Sequence, residues 1–314
     1  MSLACAPCYV TSMNSSTPPT KHHYIPAFYL KRWKGSDGKI NEYTKPYRDI
    51  VVKDVMPERT GYQERLYELN GYEPEIAQQV EEKFFKPLDT WASDALKMLE
   101  DVSQETPWTT HSRSAWTRFI LSLMLRCPED IAALREWWQI DFGQTDDAAE
   151  AQYRAVRTNG DPETFAEFLE GQPLSLKERY QYKILFSLID HEIIGHEMNR
   201  MHWRVLPTPT EAPTLLTSDR PVIRTKNIHG PQGHIVLPIG PRLLFFASPN
   251  AQFLKQLLRA DPTKITKEVN RQVVEGASRF VYGVDTNHLR FVQNRFGKTP
   301  QPRTMENILA RGAA

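Results

Sequence analysis

Apolar side chains recur every three or four residues through the first two-thirds of the chain. In the last third they gather instead into short β-branched and aromatic runs separated by Pro and Gly. From Pro74 onward, Ile76, Val80, Phe84, Leu88, Trp91, Ala95 and Leu99 form one continuous stripe, which predicts a long amphipathic helix. A second helix is predicted from Ser112 to Arg126, stopped by Pro128, and a third runs on through Leu134 to Trp138. Asp146 to Glu170 reads as two short polar helices. Leu174 to Trp203 reads as the last long one, with Tyr182, Leu185, Phe186, Ile189, Ile193, His196 and Trp203 on one face.

Beyond Arg204 the segments TLLTSDRPVI, HIVLPIG, RLLFFASP and RFVYGV read as strands, interrupted by one short helix near Lys264 to Ala277. Two short strands, KINEY and DIVVKDV, follow a GSDGK turn near the start. Helices first and strands last indicate an α+β fold, with a helix-rich N-terminal two-thirds packed on a small mixed or antiparallel C-terminal sheet. The expected division is a disordered Ser/Thr/Pro-containing leader over 1–20, a single large domain over 21–290 and a partly flexible tail over 291–314.

The stretch KHHYIPAFYLKRW, Lys21 to Trp33, opens the fold. Pro26 forces an extended approach, so HHYIP is expected to lead into a short FYLKRW turn or helix that packs its aromatics. The two histidines then sit at the solvent-side start of the element. On an extended segment they point to opposite faces, so only one can serve a shared pocket, and His23 is the choice over His22.

Composition narrows the classes. The 314 residues are 40% hydrophobic and 25% charged, ordinary for a globular protein. Lys+Arg 39 against Asp+Glu 38 leaves +1, without the basic footprint of a dedicated nucleic-acid binder. The longest apolar run, Phe119 to Leu125, is far below the roughly 20 residues a membrane span needs, and the leader lacks a secretory pattern. A cytoplasmic location is expected. Cys5 and Cys8 form a lone CxxC, a weak metal or redox signal, and nothing near Cys127 would lower its pKa.

Three stretches invite chemistry. HEIIGH, His191 to His196, spaces its histidines five apart instead of the four a zincin helix needs, so that reading is rejected. What remains is a Glu192–His196 pair beside the apolar stripe. HHYIP is similar to the HHxxP start of some HNH-type nuclease domains, but the next histidine is His111 and no suitable Asn and His follow. LLTSDRPVI places Asp219 at a strand end, where a carboxylate serves catalysis or caps a turn. Arg220, Arg224, Lys226 and His229 add a basic cluster that suits phosphate or simply a solvated rim. No P-loop, Rossmann or G-x-S-x-G pattern occurs.

Taken together, KHHYIPAFYLKRW, VEEKFFKPLDTWASDAL, MHWRVL, TLLTSDRPVI, VLPIGPRLLFFASP and VNRQVVEGASRFVYG resemble the domain-of-unknown-function family 4238, over about Lys21 to Val284. The family pattern has Asn where this chain has Arg220, and Asp146 to Glu170 lies outside it. The resemblance implies an intracellular, mainly bacterial, single-domain protein with no established activity. Its matched polar positions are His22, His23, Tyr24, Glu81, Asp219 and Asn270.

Two functional readings follow. In the first, His22, His23, Glu81 and Asp219 form a hydrolytic site for a phosphodiester, nuclease-like, with His23 as general base. Arg224, Lys226, Tyr24 and Asn270 bind substrate, and a divalent metal such as Mg²⁺, Mn²⁺ or Zn²⁺ is left open. In the second, the chain is a non-catalytic module that binds a protein or nucleic acid. A role as a defence effector fits either reading, and the oligomeric state is not set by the sequence.

Overall fold

The computed structural model describes residues 20–101, 107–142, 144–301 and 303–312, so the leader and its CxxC lie outside the described residues. The chain begins with strand β1 (Lys21–His23), then Pro26 in extended conformation, then the one-turn helix α1 (Ala27–Leu30), continued by a 3₁₀ turn to Trp33. Pro26 suits this junction because it lacks the N–H a helix start would leave unused. The aromatics that follow are core: Tyr29 and Trp33 are fully buried, and their polar tips find Thr217, the Pro238 carbonyl and the Leu215 carbonyl. Gly61, at φ +65°, presents its carbonyl to both the Tyr24 and Ile25 amides, where a side chain would crowd Ile25.

Strands β2 (Ile40–Thr44) and β3 (Val51–Val55) form a hairpin, and β4 (Tyr62–Glu64) returns to pair with β1. The helical layer comprises α2 (Pro74–Ala77), α3 (Lys86–Glu100), α4 (Thr110–Leu125), α5 (Pro128–Asp141), the short α6 (Asp147–Val156) and α7 (Phe165–Glu170), α8 (Leu174–Ile189) and α9 (Glu192–Arg200). Later strands are β5 (His202–Pro207), β6 (Thr217–Ser218), β7 (Ile223–Arg224), β8 (Ile235–Gly240), β9 (Leu243–Ser248) and β10 (Phe280–Gly283). Helices α10 (Ala251–Arg259), α11 (Pro262–Glu275), α12 (Leu289–Gln293) and α13 (Thr304–Gly312) complete the described chain.

Among the described residues all three sheets are antiparallel: the β1-β4 pair and two of four strands. One of these runs β5-β9-β8-β7. The other runs β3-β2-β10-β6, so the early hairpin joins the last strand rather than standing apart from the C-terminal region. The fold is α+β as expected, with strands entering earlier than the helix-then-strand order suggests. No helix among the described residues is long and apolar enough to cross a membrane.

Three local expectations need correction. The stripe from Pro74 is not one helix, because α2 ends at Ala77 and a π turn occupies Glu81–Phe85 before α3. A π turn adds a residue and rotates everything after it by about 100°. Within α3, Leu88, Ala95 and Leu99 are buried as the stripe predicts, Ala92 and Leu96 widen that face, and Trp91 is 41% exposed at its edge. The Leu174–Trp203 helix likewise breaks between Ile189 and Glu192, which leaves Ile193 70% exposed and puts Trp203 on β5 against Phe245. Helix α10, capped by the Asn250 side chain, is additional to the one short helix expected there. Beyond residue 290, Met305 on α13 is fully buried, and α13 packs on α5.

Asn270 shows how the two halves of the last third are held. From α11, its amide oxygen accepts the Leu216 N–H and its amide nitrogen donates to the Thr214 carbonyl, both at 2.8 Å. Substituting Asn270→Ala leaves two backbone groups unsatisfied in the core. It should lower the unfolding free energy by about 2–4 kcal/mol in urea titrations, and a loss under about 0.5 kcal/mol would show the latch to be dispensable.

Candidate functional site

Alternation on β1 decides the fate of the two histidines. His22 points inward and is fully buried. Its Nδ1 accepts the Tyr67 N–H at 2.9 Å, which places its proton on Nε2, donating to Gln78 Oε1 at 2.5 Å. Its ring stacks on Tyr67 at 5.5 Å. With its lone pair committed to a backbone amide, His22 is a structural residue, which corrects both its solvent-side placement and its candidacy as a base. His23 points the other way, onto a cleft of about 410 Å³. Its ring lies 5.6 Å from Tyr62, and its Nε2 is buried without a hydrogen-bond partner. Burial holds its pKa below the usual 6.5, opposed by the Glu58 backbone carbonyl and assisted by the charge of Arg126.

Glu81 opens the π turn and lines the same cleft. Its Oε2 is buried with no partner, and burial, reinforced by the Asp89 charge, pushes its pKa up to about 8. Glu82, one residue on, faces solvent and pairs with Lys86 at 2.9 Å. Two turns along α3, Asp89 also lines the cleft. It accepts from Arg126 Nη1 at 3.0 Å, and burial raises it to about 6 despite that partner. Arg126 is fully buried, with its Nε and Nη2 unpartnered and its guanidinium 5.3 Å from the Phe85 ring centre. Thr90 and Ser93 add hydroxyls, while Lys97, paired with Asp94 at 2.9 Å, stands at the margin.

The other expected residues lie elsewhere. Asp219 is 2% exposed, and its two oxygens accept the Ser278 and Arg279 N–H groups at 3.0 and 2.6 Å. It tethers the turn before β10 and is not among the residues lining the His23–Glu81 cleft, so the expected convergence with His23 and Glu81 is not seen. Tyr24 is buried within electrostatic reach of Asp219. Arg220 bonds Glu129 and Asp130, and the Cys127 thiol donates to the Asp219 carbonyl at 3.3 Å. Burial pushes that thiol up, away from nucleophilic use. Arg224 reaches Thr304 at 3.3 Å, Lys226 is exposed, and Asn270 is occupied by backbone. Glu192 and His196 form an exposed pair at 4.0 Å rather than a buried one.

The cleft thus joins His23 and Glu81 and adds Asp89, with Arg126 bonded to Asp89 behind it, two residues absent from the sequence-based candidates. Arg126 left a trace: it is the first charge after seven apolar or hydroxyl residues, Phe119 to Leu125. Among the described residues no three His, Cys, Asp or Glu side chains gather as a metal nest.

The chain belongs to the family of proteins of unknown function DUF4238, whose model matches residues 21–287. No curated protein and no solved structure matches it.

The raised pKa of Glu81 makes stability depend on pH. Below the usual 4.5 both folded and unfolded chains hold the proton, so nothing is lost. Between 4.5 and about 8 the folded chain alone keeps it, and stability falls as pH rises, by an amount on the order of a few kcal/mol. Substituting Glu81→Gln keeps the shape without the charge. The variant should melt higher than the parent above pH 8 and lose most of the decline between pH 6 and 8. Asp89 keeps its own decline between 3.8 and about 6. Parallel melting curves of the two proteins across pH 6–9 would contradict this account.

Proposed function

We propose that the His23–Glu81 cleft is an acid–base site that hydrolyses a phosphodiester, in the manner of a nuclease. The observation carrying this reading is that two titratable groups on one cleft are pushed in opposite directions. His23 is held below its ordinary pKa and stays neutral, with an unpartnered Nε2, while Glu81 keeps its proton up to about pH 8. A neutral imidazole beside a protonated carboxyl supplies a base and an acid at the same pH. Water gives a proton to His23 Nε2 as its oxygen bonds to phosphorus. The bond from phosphorus to the leaving oxygen breaks, and Glu81 protonates that oxygen. Arg126 and Asp89 act behind them as positioning residues.

The likeness of HHYIP to HHxxP and the Lys86 and Lys97 margin favour a phosphodiester as substrate class.

Hydrolysis of bis(p-nitrophenyl) phosphate and of a labelled single-stranded oligonucleotide tests the reading. The rate should rise with pH through the lowered pKa of His23 and fall above about 8 as Glu81 ionises. His23→Ala and Glu81→Gln should each lower kcat/KM by roughly 10²–10⁴-fold, with the His23→Ala melting temperature nearly unchanged. Background rates in the parent protein on both substrates would leave a non-catalytic binding module as the better description.

A further inference from the structure

A second cavity of about 440 Å³ lies between α11 and α12. Helix α11 starts behind the Asp261 cap and sets Lys264, Lys267, Glu268 and Arg271 three or four residues apart along its exposed face. The charges there do not cancel. Arg271 is held by Glu268 and Glu275 at 2.5 and 2.6 Å, and Arg295 approaches Glu275 at 4.0 Å. Among the described residues, Lys264 and Lys267 have no ion pair within 4 Å, so two ammonium groups face the cavity uncompensated. Burial keeps His288 below its ordinary pKa, so it adds no charge at neutral pH.

The wall beside these lysines is apolar and aromatic. Pro213 and Phe291 line it, and the Arg295 guanidinium lies 4.5 Å from the Phe291 ring centre. An aromatic–guanidinium stack next to unpaired ammonium groups matches a ligand with a flat base and a phosphate. Asn270 also borders the cavity, but its amide is committed to Leu216 and Thr214. We propose that this cavity binds a nucleoside phosphate, with the base against Phe291 and Arg295 and the phosphate at Lys264 and Lys267. The choice of ligand class rests on the phosphodiester reading of the His23 cleft, whereas the site itself is separate. It also relocates the phosphate contact from Arg224 and Lys226 to α11.

The test uses the full chain and two probes: a fluorescein-labelled single-stranded 12-nucleotide RNA, followed by anisotropy, and AMP, followed by calorimetry. The double substitution Lys264→Gln/Lys267→Gln alters only exposed side chains and should leave melting unchanged. It should weaken RNA binding at least tenfold and reduce the slope of log K against log salt by about 1.4, from roughly 0.7 per phosphate contact. Phe291→Leu should weaken binding without changing the slope. Loss of RNA binding assigns the ligand to a strand, and loss of AMP binding alone assigns it to a free nucleotide. Affinities for both probes within twofold of the parent, or no binding of either by the parent, overturn the proposal. His23→Ala should bind the RNA as the parent does. A parent that binds at α11 but does not hydrolyse removes the His23 reading and leaves this one, and hydrolysis without an α11 effect does the reverse.

Discussion

A guanidinium with no solvent exposure holds this site together. Arg126 closes α4 and sends one nitrogen to Asp89 on α3. Its carbonyl accepts the Tyr67 hydroxyl at 2.8 Å, and the Tyr67 N–H fixes the His22 ring. Because His22 and His23 alternate on one strand, anchoring the first aims the second. The same chain of contacts includes Phe85, 4.4 Å from the Tyr67 ring centre, at the end of the π turn that Glu81 begins. Breaking a buried pair such as Arg126–Asp89 typically costs about 3–5 kcal/mol, because one charge is left uncompensated. Arg126 also acts on both titratable groups of the cleft. Its charge lowers Glu81 and His23 together, opposing the rise that burial and Asp89 impose on the carboxyl and adding to the fall that burial imposes on the imidazole.

The π turn is the second condition. The extra residue rotates α3 against the segment before it. Within α3, Leu88, Ala92, Ala95, Leu96 and Leu99 form the buried face and Trp91 stays at its edge. That rotation places Glu81 and Asp89 on the face lining one cleft, although they belong to different helical phases. A local irregularity in hydrogen bonding is therefore what makes a two-carboxylate site.

How far this was legible in the sequence varies from residue to residue. The opposed histidines followed from Pro26 and strand alternation, whereas Glu81 was a candidate only through the family resemblance. Asp89 followed from neither, because its place beside Glu81 depends on the π turn between them, which changes no residue type and leaves no periodic mark. Asp219 looked chemical because strand-end carboxylates often are, yet two backbone amides claim it. Sequence alone does not separate a carboxylate that caps a turn from one that faces a cleft, since both want the same residue at the same kind of break. Isolated charge within an apolar run, as at Arg126, was the neglected signal.

The contrast between satisfied and unsatisfied groups separates scaffold from site. Asp219, Asn270, His22 and Tyr29 are buried and polar, and each has found partners for its polar atoms. Orphan polar atoms also occur away from the cleft, at Glu178, Arg135 and Asp130, where another atom of the same group is bonded, and at Tyr24, Trp116 and Thr208, where none is. At the cleft, His23 Nε2 and Glu81 Oε2 are left unpartnered, and behind it two nitrogens of Arg126, whose charge reaches both groups, are unpartnered as well. Each such group opposes folding by about 1–3 kcal/mol, and more where it is charged. Simple apolar packing would avoid that penalty. What sets the cleft apart is that two titratable groups, on a strand and on a π turn, carry this penalty while lining one opening.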